Sequence, residues 1–189
     1  MRKDIAFQSD DVTLRGWLYR PDNGAGDRPA IVMAHGFSAT KEMYLDDFAE
    51  VFAAAGFSVM VYDHRNFGDS DGEPRGEIDP VARIRGYRDA MIWLLDQPGV
   101  DRDRIGAWGS SYSGARVIQL GAIDRCVKCV VSQVPAIDGY RASRAMMRGD
   151  MGAAWRHWLR LRSGKQLADR LGPVWKPKLA QNAESLELH

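Results

Sequence analysis

Four short, largely apolar runs, Ala30 to Ala34, Phe57 to Tyr62, Ile105 to Trp108 and Val127 to Val131, alternate along the chain with stretches of helical spacing. Runs of this kind suit strands buried on both faces. Strands alternating with helices imply right-handed crossovers and a mainly parallel sheet with helices on either side. Ahead of them, Asp4 to Gln8 and Val12 to Tyr19 flank a Ser-Asp-Asp turn. The second alternates Val12, Leu14, Gly16 and Leu18 with Thr13, Arg15, Trp17 and Tyr19, as an antiparallel hairpin does. The predicted class is therefore α/β, a three-layer α/β/α sandwich whose mostly parallel sheet begins with an antiparallel hairpin.

The helices are expected over Lys41 to Ala55, from Asp79-Pro80 to Gln97, and from about Ser113 to Ala122. The first carries Met43, Phe48, Val51, Phe52 and Ala55 on one face, with Gly56 as its C-terminal stop. The second carries Val81, Ile84, Tyr87, Met91, Leu94 and Leu95 and ends at Pro98-Gly99. In open sheets of this type ligands bind at the carboxyl ends of the strands. Three polar turns fall there: His35-Gly36-Phe37, Asp63-His64-Arg65, and the turn at Ser111.

The third turn reads Gly109-Ser110-Ser111-Tyr112-Ser113-Gly114 between an apolar strand and a helix start. A turn this tight leaves little room for flanking side chains, which accounts for Gly109 and for small Ser113, although the strict GxSxG pattern has glycine where Ser113 stands. It would hold the Ser111 hydroxyl out into a cleft. The Tyr112 N–H, at a new helix N-terminus, would face charge developing on an attacked carbonyl. The alternative is a polar strand-to-helix turn with Ser111 as a plain cap. A second oxyanion donor is expected from Phe37 N–H, with Gly36 allowing close approach and His35 structural.

With these residues in place, the chain resembles the α/β-hydrolase superfamily, and within it the Xaa-Pro dipeptidyl-peptidase-like, cocaine-esterase-like and dienelactone-hydrolase-like members, including polyketide-type hydrolases. The likeness rests on the hairpin, AHGF at 34–37, YDHRNFGDSDGEPR at 62–75, GSSYSG at 109–114 and VVSQVP at 130–135. It implies a serine hydrolase cleaving a carboxylic ester, thioester or related acyl substrate, without metal or organic cofactor. It also implies a structural role for the loop after the fourth strand, held by a buried Asp63–Arg65 pair and by turn caps such as Ser70.

The resemblance also implies an acid and a histidine late in the chain, after further strands, and no later run here reads as a buried strand. The expected layout is a hydrolase core over 1–139 lacking the superfamily's C-terminal third, a helical cap-like segment over 140–171, and a polar tail over 172–189. In the cap-like segment Met147, Met151, Trp155 and Trp158 either line an acyl pocket or form the core face of a helix pair. Asp138 and His157 are the candidate acid and base for Ser111, with His189 as the other histidine that follows it. A noncatalytic binding module, or half of a split or domain-swapped hydrolase, is the alternative. In that case the open edge at 127–133 invites a homodimer or a partner chain.

Charge and composition narrow the partners. The net charge of the 189 residues is only +1, which gives no nucleic-acid footprint. It is unevenly spread: residues 140–171 hold eight basic residues against Asp150 and Asp169, a net of +6, so a solvated face or attraction of an anionic or carrier-bound substrate is expected there. No run is long enough to span a bilayer and no signal peptide is evident, so a cytoplasmic protein is expected. Cys126 and Cys129 sit at a strand entrance, where neither a zinc site nor a redox pair is expected.

Overall fold

The computed structural model describes residues 1–21 and 26–138, and the residues up to Ile137 form one compact unit, Met1–Ile137. Strands β1 (Arg2–Ser9) and β2 (Val12–Tyr19) form the expected hairpin, with Asp10 at positive φ in its turn. The remaining strands are β3 (Arg28–Ala34), β4 (Ser58–Tyr62), β5 (Val100–Ser110) and β6 (Val127–Gln133). They join the hairpin in a six-stranded sheet of order β1-β2-β4-β3-β5-β6. The hairpin is antiparallel and β2 runs antiparallel to β4, while every pairing from β4 to β6 is parallel. Gly16 is required where β2 meets β4: a Cβ there would stand 2.1 Å from Val61 O.

Strand alternation divides the core. Leu14, Val32, Ala34, Met60 and Tyr62 face helices α2 (Pro80–Leu95) and α3 (Tyr112–Ile123), which contribute Tyr87, Met91, Leu94, Val117 and Leu120. Met33, Val59, Val61 and Trp108 face the other way, toward Leu45, Ala49 and Ala53 of α1 (Leu45–Ala54). Each buried aliphatic side chain of this size contributes about 1.5–3 kcal/mol. The result is the anticipated three-layer α/β/α sandwich.

Local expectations for α1, α2 and β6 are corrected. α1 starts at Leu45, not Lys41, because Lys41 is drawn into the sheet end and Tyr44 takes a left-handed conformation at φ 63°. Its buried face is Leu45, Ala49 and Ala53, whereas Met43, Phe48 and Val51 are exposed. Its end does follow the glycine rule. Gly56, at φ +97°, donates to Ala53 O and Phe57 N–H donates to Phe52 O, the paired bonds of a Schellman motif. On α2, Val81 is exposed and Arg83 takes a place in the buried face. Finally, β6 is not buried on both sides: its residues are exposed or half-buried, as befits the last strand of the described sheet.

Beside α1, an apolar hollow of about 410 Å³ opens over β3, β5 and β6, walled by Ile31, Phe52, Phe57, Trp108 and Val131. Among the described residues, no helix is long and apolar enough to cross a membrane.

Candidate active site

β5 ends at Ser110 and α3 begins at Tyr112, so Ser111 alone makes the reversal, at φ 54° and ψ −113°. A non-glycine residue held there costs about 1–3 kcal/mol and persists only where its surroundings fix it. The surroundings do so. Ser111 N–H donates to Gln133 O at 2.8 Å, and Ser111 O accepts from Ala136 N–H at 2.9 Å and from Ala115 N–H at 3.3 Å. Gly109 is obligatory, since a Cβ would lie 2.4 Å from Ser113 O. Ser113, in contrast, replaces a glycine at no steric cost, because its side chain leaves the turn for the interior. Its Oγ donates to His35 O and accepts from His64 Nε2 at 2.8 Å.

The turn after β3 lies against this elbow. At Gly36 a Cβ would stand 3.2 Å from Ser111 Cβ and 3.3 Å from Ser110 O, tighter than an ordinary contact. Arg83 of α2, 3% exposed, donates to Gly36 O at 2.9 Å and to Phe37 O at 2.8 Å. In a planar trans peptide the N–H points opposite to its C=O, so the Gly36 carbonyl bound to Arg83 directs Phe37 N–H away from the guanidinium. Tyr112 is the first residue of α3, and its N–H has no acceptor within the helix. The rings of Phe37 and Tyr112 meet edge to face at 5.8 Å. Tyr112 also lies under two cations, Arg83 at 5.2 Å and Arg116 at 4.8 Å from its centroid.

Both histidines near the elbow are neutral and structural. His35 donates from Nδ1 to Gly36 O at 3.0 Å and accepts at Nε2 from His64 N–H at 3.1 Å. Burial, then the charge of Arg83, brings its pKa down to about 3. His64 is held well below the usual range by burial, Arg83 and His35, and its Nε2–H is committed to Ser113. Tyr87 completes this interior, donating to Trp108 O at 2.9 Å. Among the described residues, the Ser111 hydroxyl has no basic partner.

The loop after β4 is structural, but not through the expected pair. Asp63 is fully buried against Lys41: its carboxylate accepts from Lys41 Nζ at 2.9 Å, Lys41 N–H at 2.7 Å and Asp69 N–H at 3.0 Å. Arg65 instead reaches Asp11 at 2.6 Å. Burial raises the Asp63 pKa against these bonds, and Lys41 stays above the usual lysine range because Asp69, Glu42 and Asp63 outweigh its own burial. The carboxylates of Glu42, Asp63 and Asp69 converge closely enough for a cation, and Lys41 Nζ is the cation they surround. Ser70 caps as anticipated, donating to Asp63 O at 2.6 Å and accepting from Arg15 N–H at 2.9 Å.

Of the site residues read from sequence, Ser111, Tyr112 and Phe37 are brought together. Asp138 is the last described residue and lies outside the compact unit Met1–Ile137. Met147, Met151, Trp155, His157 and Trp158 lie outside the described residues, as does His189. Sequence reasoning missed Arg83, Lys41 and the interior role of Ser113. For Arg83 a signal existed, since it precedes Tyr87 by four residues and Ala90 by seven, on the buried face of α2.

The family profile of the X-Pro dipeptidyl-peptidase (S15 family) matches residues 10–183. The chain belongs to the S15 family. This S15 chain is 46% identical over 129 residues to a thiohydrolase, aneE, of Aspergillus aculeatus, covering 68% of the chain and 40% of that protein. It is 38% identical over 143 residues to the quorum-quenching protein AidA of Acinetobacter baumannii, covering 76% and 47%. Among solved structures, the α/β hydrolase GrgF from a Penicillium species superposes with a TM-score of 0.70 at 33% identity, over 78% of the chain and 51% of GrgF. The fold of this S15 member is thus that of the α/β hydrolases, and the chain spans about half the length of the curated relatives it matches.

Proposed function

We propose that this chain carries the nucleophile and oxyanion hole of an acyl-transfer enzyme, a serine hydrolase acting on an ester or thioester. The observation that carries the reading is the strained Ser111 elbow packed directly against the Gly36 turn. Ser111 Oγ attacks the acyl carbonyl and gives up its proton. The carbonyl oxygen takes the negative charge and is held by Phe37 and Tyr112 N–H. The tetrahedral intermediate then collapses, expelling the alcohol or thiol with a proton and leaving an acyl-serine that water or a second acceptor cleaves. The thiohydrolase and polyketide transferase relatives support acyl transfer with a thioester among the substrates.

The base is assigned beyond the described core. His35 has both ring nitrogens committed and His64 is locked on Ser113, so neither serves as the proton acceptor; His157 with Asp138 as its acid is the candidate pair of this sequence, and a histidine of a partner chain pairing at β6 is the alternative. The absence of a basic partner for Ser111 among the described residues favours one rival, a binding module with an unarmed elbow. A fluorophosphonate probe separates the two. Stoichiometric labelling lost in Ser111→Ala is expected, and a folded protein that stays unlabelled refutes the hydrolase reading. In an active preparation, His157→Ala and Asp138→Asn should slow labelling about a hundredfold or more. Light scattering tests the β6 edge, where a strict monomer excludes pairing.

A further inference from the structure

We propose that Arg83 is a positioning residue for acyl transfer at Ser111, its guanidinium clamping the turn that carries the Phe37 oxyanion donor and placing an unneutralised positive charge behind it. The inference rests on the Ser111 reading and adds to it a residue outside the loop and the elbow. Arg83 is 3% exposed, yet among the described residues no carboxylate pairs with it. Its partners are two backbone carbonyls, Gly36 O at 2.9 Å and Phe37 O at 2.8 Å, and two aromatic faces, Phe67 at 4.9 Å and Tyr112 at 5.2 Å. Among the described residues, its Nε makes no hydrogen bond.

A buried guanidinium is costly unless paired, and burial depresses even its high pKa, to about 10. A fold using arginine only to fill space would be better served by an apolar residue, as the neighbouring Ala90 and Met91 show on the same face. What arginine adds is a planar fork that fixes two successive carbonyls at once, a geometry lysine cannot reproduce. Fixing both carbonyls fixes the two peptide planes that flank the Phe37 Cα, the first of which carries both Gly36 O and Phe37 N–H. With no described carboxylate in ion-pair contact with it, the charge also reaches both oxyanion donors: through the Gly36 peptide to Phe37, and through the Tyr112 ring to the first residue of α3. Preorganised positive potential of this kind stabilises charge that develops only in the transition state.

The test compares Arg83→Lys and Arg83→Met with wild type in the full chain, with Arg85→Met, an exposed arginine of the same helix, as control. Phosphonylation of Ser111 should slow roughly tenfold to hundredfold in both Arg83 variants, more in Arg83→Met, while probe affinity is nearly unchanged. In parallel, 15N relaxation of the backbone should show Gly36, Phe37 and Ser38 falling from rigid order parameters of about 0.85 toward about 0.6, with β3 to β5 unchanged. Arg83→Lys supplies both measurements if Arg83→Met does not fold. A reactive wild type with equal rates in the variants, or an unchanged Gly36 to Ser38 turn, overturns the role of Arg83 alone. A wild type that does not react overturns the Ser111 reading and the role of Arg83 with it.

Discussion

His35 makes this fold sensitive to mild acid, and the size of the effect follows from its surroundings. The ring is 1% exposed, bonded at both nitrogens, and near the charge of Arg83, so its pKa in the folded chain is about 3. Unfolded, it titrates at about 6.5. Between these values the unfolded chain binds a proton that the folded chain refuses. Stability is therefore complete above about pH 6.5, falls as the pH drops, and levels off only near pH 3. Near pH 5 the unfolded imidazole is about 1.5 units below its pKa, a loss of about 2 kcal/mol. His64 shifts in the same direction and adds to the loss. Asp63, raised by burial, acts in the opposite sense as the pH falls through its raised pKa, and the surface carboxylates held low by Arg65, Arg15 and Arg104 titrate below it. Urea unfolding near pH 7 and near pH 5 measures the difference, and the melting temperature should fall by roughly 4–8 °C. His35→Gln, whose amide oxygen can accept the His64 N–H, should recover about 2 kcal/mol of the acid loss. Equal stability of the wild type at the two pH values, or an equal loss in His35→Gln, refutes a buried neutral imidazole at this position.

Two further substitutions probe the polar interior. Lys41→Met leaves the fully buried Asp63 carboxylate without its cation and should cost about 3–5 kcal/mol, read by urea unfolding near pH 7. A loss below about 1 kcal/mol would mean that the Asp63 backbone bonds suffice. Ser113→Ala strands the His64 Nε2–H and removes a donor from His35 O, for an expected loss of about 1–3 kcal/mol in thermal unfolding. An unchanged melting temperature would show that Ser113 is a mere space filler at the glycine position.

Much of the architecture is legible because it depends on local pattern. Alternation from Val12 to Leu18 states one face of β2, and the runs at 30–34 and 58–62 state strands covered on both sides. The Ser111 elbow is legible because its glycine and small-residue demands are steric and local. What fails to show is what depends on distant partners. Asp63 finds its cation 22 residues upstream, in a segment whose spacing otherwise reads as the first turn of α1. The run Val127 to Val131 in β6 resembles a buried strand, but its burial is decided by what lies over it. Around α1, the apolar but exposed Met43, Phe48 and Val51 mask Leu45, Ala49 and Ala53, the residues that fit against the sheet. Arg83 is overlooked because a charge is read as solvent-facing even where the helical period places it inside.

The charge of Arg83, without an ion-pair partner among the described residues, links the stability of the β3 turn to its chemistry. A carboxylate beside it would ease its burial and relieve His35 and His64, whose pKa values it lowers. The same carboxylate would cancel the potential at Phe37 and Tyr112, where an oxyanion would form. The fold satisfies the guanidinium with neutral acceptors instead, two backbone carbonyls and two aromatic faces, which hold a charge in place without neutralising it. The histidines beside it then have to remain neutral, and each is fixed in one tautomer by the bonds it makes: Nδ1–H on His35, Nε2–H on His64. Acid lability is the thermodynamic cost of keeping buried, neutral histidines beside that positive charge. The strain of Ser111 adds to it, and both fall within the few residues that the proposed acyl transfer requires.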